Sequence, residues 1–316
     1  MIMDLLPFYC LFLALLALYL PRAFYSAKAS PANQSLGDHQ LNPASKTGWL
    51  QWAISEPRLY CWIGLSTALI VAMTQKQLGF RTLTIMTGLA SLLVAIAITK
   101  HLYLRALLAF IAMAWVLYLH AYPPGDLTQV SILEKAPIGD SIFQITRYAR
   151  FDLSFLACFA YSLFFAQGLA PLNFRTVLRS LWPIPLFVLM YFAFSFSLWL
   201  YWEPKLDAKA IFYAFFYLVS SALIIEVFSR GLIQDQLEAL LGGPFRENTY
   251  LALVITAIVT AAWLSVWSNF PRQPASVFLT ALICGLAYGL SRRIEAAILT
   301  HWLMHAVHLL LFTYPD

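Results

Sequence analysis

Ten long apolar runs fill most of this chain and leave so little connecting sequence that bilayer-crossing helices are the fold it has to make. A spanning helix needs about 20 mostly apolar residues. Within hydrocarbon every backbone N–H and C=O must be satisfied by the chain itself, so only helices and closed barrels cross. These runs are continuous and rich in Leu, Ala and Phe, without the apolar–polar alternation of an outer-membrane strand, which excludes a barrel. The fold class is therefore all-α, a polytopic membrane helix bundle of about ten transmembrane helices. Their expected positions are roughly 5–21, 59–74, 82–99, 102–121, 151–172, 181–202, 210–229, 249–268, 276–290 and 294–313. With 61% hydrophobic and 11% charged residues, no room remains for a soluble domain of any size.

A net charge of +5 and a pI near 9 would suggest a nucleic-acid partner in a soluble protein. Here the Lys and Arg stand singly beside apolar runs, where they orient helices. No nucleic acid is expected, and membrane lipid is the surrounding partner. Arg22, Lys28, Lys46, Lys100, Arg105, Arg175, Arg179, Arg292 and Arg293 fall in alternate loops, which are assigned to the cytoplasm; Lys76 and Arg81 are the exception. Ala27-Lys28-Ala29 resembles a cleavage site, but the residues before the first run carry Asp4 and no Lys or Arg, which favours an uncleaved anchor. Ser26 to Gly48 reads as a solvated loop. Pro123 to Arg150 mixes both charges and is expected to hold a short surface helix. Cys10, Cys61, Cys158 and Cys284 lie alone in separate runs, so neither a disulfide framework nor a zinc ribbon is indicated.

Polar groups inside apolar sequence are costly and usually functional, and they concentrate in the last third. Glu226 and Arg230 are four apart, share a helix face and can pair. The pair reads either as a structural device that lets a helix carry charge or as a base or metal ligand kept ionised by the guanidinium. Gln234, Asp235, Gln236 and Glu238 continue a polar face into the loop beyond. His301, His305 and His308 project to one side of the last run at the helical period. Two His at i and i+4 suggest a zinc helix, but Trp302 stands where the general-base Glu of HExxH would be, so that motif is absent. Glu226, His301 and His305 would form a two-His, one-carboxylate zinc site if the seventh and tenth spans pack face to face.

In their order and spacing these constellations resemble the CPBP family, the CAAX-processing and bacteriocin-processing intramembrane endopeptidases that include type II CAAX prenyl proteases. The likeness covers roughly residues 215–312. Against the family's EExxxR motif, Glu226 and Arg230 match the second Glu and the Arg, with Gly231 behind them. Against HxxxN, His301 matches the His and His305 takes the Asn position. Leu282-Ile283-Cys284-Gly285-Leu286-Ala287-Tyr288 resembles the lead-in to that helix. Two positions depart: Ile225 stands at the first Glu, and Trp263 at the His of the FxxxH motif. The division implied is 1–200, an N-terminal transmembrane region of unassigned role, and 201–316, a CPBP-like protease core.

The resemblance implies a multi-pass protein of a bacterial inner membrane, acting on a peptide or membrane-protein substrate that is membrane-anchored or C-terminally processed. Glu226, Arg230, His301 and His305 are its candidate catalytic residues, and zinc on Glu226, His301 and His305 its candidate cofactor. The alternative is an inactive pseudoprotease that binds a hydrophobic or lipidated peptide for a partner, since activating water beside an amide needs a base worth about 10²–10⁴-fold. Residues next to each other on an α-helix point about 100° apart, so Glu226 replaces position 225 only if a π-bulge or a rotated helix re-aims it. A transporter is disfavoured because no inverted repeat or matching pair of broken helices is visible.

Overall fold

A computed structural model describes residues 5–18, 57–128, 130–137, 144–165, 208–241, 246–266 and 273–313, with a few isolated positions between 185 and 204. Among these residues nine helices succeed one another: α1 (Leu6–Ala17), α2 (Pro57–Thr74), α3 (Phe80–Ile98), α4 (Leu102–Ala121), α5 (Phe151–Phe164), a long composite α6 from Ala208 to Leu240, α7 (Arg246–Val266), α8 (Gln273–Ser291) and α9 (Ile294–Leu311). Nine of the ten expected spans are thus helical. The sixth, 181–202, lies outside the described residues apart from isolated positions, as does the Ser26–Gly48 loop.

Among the described residues four helices are long and apolar enough to cross a bilayer: Phe80–Ile98, Leu102–His120, Ala210–Leu240 and Ile294–Leu311; shorter apolar helices accompany them. Leu104, Leu107, Ile111 and Tyr118 are exposed along one stripe of α4. Such a stripe suits hydrocarbon, where an outward apolar face carries no hydration cost. The protein is an integral membrane helix bundle.

Close approach at particular points holds the bundle together. A Cβ on Gly64 would lie 2.6 Å from Ala14 Cβ and 2.9 Å from Ala14 Cα, so α1 and α2 meet backbone to backbone. Small residues at such crossings supply the dispersion contact that drives helix association in lipid. Trp62 donates to Ser162 between α2 and α5 at 3.3 Å. The N-terminus of α3 is capped from a distance: Asp126 accepts from the backbone N–H of Arg81 (2.8 Å) and of Thr82 (3.2 Å), and from the Thr82 hydroxyl (2.6 Å). These donors, the Thr82 hydroxyl foremost, hold the Asp126 carboxyl below its ordinary value.

Among its described residues the connection after α4 does not contain the expected surface helix. It forms an antiparallel hairpin, β1 (Val130–Pro137) with β2 (Gln144–Ala149). Ile132, Ile145, Thr146 and Tyr148 belong to the β-branched and aromatic types that fit a pleated ribbon, a preference outweighed in the sequence reading by the mixed charges around them. A second short pairing, β3 (Tyr201–Trp202) with β4 (Phe312–Thr313), ties the segment before α6 to the end of α9.

The composite α6 also departs from expectation. Its polar continuation past residue 229 is helix, ending at Leu240, rather than loop. It also widens twice into π-helix, over Leu218–Ala222 and Val227–Gln234, where Leu223 N–H reaches Leu218 O and Asp235 N–H reaches Arg230 O. These i→i+5 bonds insert extra residues into the turn and rotate the helix beyond it. Gly231 accommodates the widened turn against α5, since a Cβ there would sit 2.9 Å from Phe165 Cζ.

Candidate functional site

Four neighbours grip α6 where it is widest. From α4, Arg105 donates to Gln236 (2.9 Å); from α7, the Thr260 hydroxyl donates to Ser229 (3.0 Å); from α8, Tyr288 donates to Asp235 (2.6 Å); and from α9, His301 meets Glu226. Every contact is polar and most are buried. Such bonds persist at this depth because the alternative is an unsatisfied group in a dry interior.

At the centre, Glu226 sits between the two π-helical stretches with 0% exposure, and both carboxylate oxygens are engaged. Oε2 accepts from Arg230 Nε at 2.9 Å, and Oε1 meets His301 Nδ1 at 2.6 Å. The spatial condition raised by the sequence is therefore met: the seventh and tenth spans face each other, and Glu226 touches His301. Arg230, itself 0% exposed, also donates to Gln234 Oε1 (3.2 Å) and to the backbone carbonyl of Ala281 in α8 (2.8 Å). Gln234 donates on to Glu238 (3.1 Å), and Glu238 accepts from Arg292 in the turn between α8 and α9. A ladder at 226, 230, 234 and 238 thus joins the buried imidazole to an exposed arginine. Glu238 holds the Arg292 guanidinium above its ordinary value.

The ladder fixes the imidazole. A carboxylate only accepts, so Nδ1 of a neutral His301 carries the hydrogen and Nε2 keeps the lone pair. His301 is 3% exposed and makes no other hydrogen bond among the described residues. His305 lies beside it, ring centroids 4.9 Å apart, and Tyr217 of α6 stacks on His305 at 4.7 Å and stands 6.2 Å from His301. Trp302, at the position that breaks HExxH, is an anchor: its indole N–H donates to Ala214 O at 2.6 Å.

Cys284 is the participant that sequence reasoning missed. Glu226, Cys284 and His301 offer donor atoms all within 4.8 Å of one another, each residue buried. The available signal was its neighbour Gly285, where a Cβ would lie 3.0 Å from Leu253 and 3.1 Å from Arg230 Nη1, the mark of a tight crossing at that level. The group suits zinc by ligand type, with Cys284 rather than His305 as third donor. In this arrangement it does not fit a resident ion: His301 Nδ1 is turned to the Glu226 carboxylate rather than free to ligate, and the Arg230 guanidinium in contact with that carboxylate opposes a second cation.

The two departures from the family pattern are apolar in place as well. Ile225 is 8% exposed and Trp263 4%. The π-helical widening turns Glu226, not position 225, toward α9.

Residues 207–307 match the family model described as Type II CAAX prenyl endopeptidase Rce1-like, in agreement with the CPBP resemblance of the motifs. Neither the curated proteins nor the solved structures hold a match to this chain. The chain is an integral membrane protein with a CAAX-protease-like segment spanning α6 to α9.

Proposed function

We propose that this protein is an intramembrane endopeptidase whose general base is His301, oriented by Glu226, acting on membrane-anchored, C-terminally processed peptides. The observation that carries the reading is the 2.6 Å contact between Glu226 Oε1 and His301 Nδ1. It is the orienting half of a triad, a buried carboxylate that selects the imidazole tautomer and balances the charge the ring acquires. The position left vacant by Ile225 is thereby served from another helix, and Glu226 becomes a positioning residue.

In this mechanism Nε2 of His301 takes a proton from water as its oxygen attacks the scissile carbonyl carbon, giving a tetrahedral oxyanion. His305 donates a hydrogen bond to that oxyanion, a contribution of about 10²–10³-fold in comparable sites. The imidazolium then returns its proton to the leaving nitrogen as the C–N bond breaks. Arg230 stays paired to Glu226 throughout and keeps it ionised. Substrate enters from the bilayer, and the matched family's name supports a lipidated peptide ending in a CAAX sequence.

One observation favours a second reading. Ile225 and Trp263 are apolar at both positions where the family pattern carries water-activating groups, which suits a protein that binds such a peptide without cutting it. The test uses purified protein in liposomes with a farnesylated peptide ending in CAAX, with products read by mass spectrometry. Loss of C-terminal residues in the wild type, abolished by His301→Ala, supports the peptidase. Equal cleavage by His301→Ala overturns it, and capture by photocrosslinking with no cleavage by the wild type moves the protein to the binding role.

A further inference from the structure

The indole N–H of Trp263 is a buried donor with no acceptor among the described residues. The side chain is 4% exposed, and Nε1 has no hydrogen-bond partner there. Each buried donor of this kind in a native structure calls for an explanation. Other tryptophans solve the same problem: Trp302 and Trp62 both direct their indole N–H groups at acceptors.

Its depth is set by the contacts around it. The Thr260–Ser229 hydrogen bond clamps α7 to α6. The two helices are consecutive and joined by a few residues, so they run antiparallel. Trp263 lies three residues beyond the clamp on α7, and Glu226 three residues before it on α6. Both are therefore displaced the same way, by about 4.5 Å along the axis, and Trp263 stands level with the Glu226–His301 pair. His120 of α4 meets the indole edge-on, ring centroids 5.7 Å apart, and His120 is itself exposed, so the indole is separated from the surface on this side by one exposed side chain.

We infer that Trp263 Nε1–H is a substrate-binding donor, satisfied when a backbone carbonyl of the bound peptide enters from the His120 side at the depth of the dyad. The inference rests on the proposed peptide substrate but not on its cleavage. An indole positioned this way accounts for an aromatic residue where an imidazole would otherwise stand: it gives up the proton-transfer capacity and keeps one donor.

The test uses full-length protein in micelles, labelled with 15N-tryptophan, the Trp263 Nε1–H signal being assigned by its loss in Trp263→Phe. Addition of the farnesylated CAAX peptide is expected to move that signal downfield, and Trp263→Phe to weaken peptide capture by about tenfold, the range for removing one partner of a buried hydrogen bond. Trp263→His, which restores an N–H, is expected to recover capture. A signal unmoved at saturating peptide, or unchanged capture by a folded Trp263→Phe protein, overturns the inference. Both readouts are of binding, so absence of hydrolysis alone would count against the peptidase and leave this donor standing.

Discussion

Replacing Glu226 by Gln is the most direct perturbation of the dyad, because the structure dictates which way the new amide must sit. Arg230 Nε points at the Oε2 position from 2.9 Å, so the amide oxygen has to occupy it; the opposite orientation sets two donors against each other. The amide nitrogen then takes the Oε1 position and donates to His301 Nδ1. That nitrogen must give up its hydrogen, and Nε2 acquires it. The ring is retained in its place with the wrong tautomer, unable to accept a proton from water. Where the orienting carboxylate of a serine-protease triad becomes an amide, the loss is about 10⁴-fold, equivalent to about 5.4 kcal/mol of transition-state stabilisation. The fold loses less, because charge-assisted bonds become neutral ones rather than vanishing, at roughly 1–3 kcal/mol. Glu226→Gln should therefore fold and bind peptide while kcat/KM for the farnesylated peptide falls by about four decades. The tautomer is read separately from the 15N signals of the labelled imidazole. Activity within tenfold of wild type, or Nε2 unprotonated in both proteins, would refute the reasoning.

Two further outcomes concern stability. Arg230→Met leaves the fully buried Glu226 without its guanidinium, and breaking a buried pair in this way costs about 3–5 kcal/mol; combining it with Glu226→Leu removes the uncompensated charge and should recover much of that loss. Reversible unfolding in mixed micelles measures both, and a double variant as damaged as the sum of the singles would show the two residues to be uncoupled. Asp126 has its folded pKa below the ordinary 3.8, so its contribution is present above about that pH and disappears as pH falls through the folded value. Asp126→Asn should accordingly melt below wild type at neutral pH and converge with it under acid, and a gap that persists at low pH would contradict the capping role.

Much of the bundle was legible from periodicity alone, since nine of ten apolar runs are helices near their expected bounds. The Glu226–Arg230 pairing was readable too, because i, i+4 spacing puts the two groups on one helix face, whereas the nearness of His301 stood only as a condition on how the seventh and tenth spans pack. The hairpin at 130–149 escaped because a charged connection carries no strong period. Helix continuation to Leu240 escaped because a polar face normally marks solvent, whereas here Arg105, Tyr288 and Arg292 from three other segments satisfy it. Cys284 had only the adjacent Gly285 as a local sign, Glu226 and His301 being 58 and 17 residues away in the chain.

The linear order of residues determined the solvent this protein folds in, the class of element it builds, and which few side chains are too costly in lipid to be incidental. Tertiary structure alone decided where those side chains point. A π-helical turn depends on whether neighbouring helices leave room for an extra residue, as Gly231 does beneath Phe165. With widened turns on either side of it, Glu226 meets His301 through one carboxylate oxygen and Arg230 through the other.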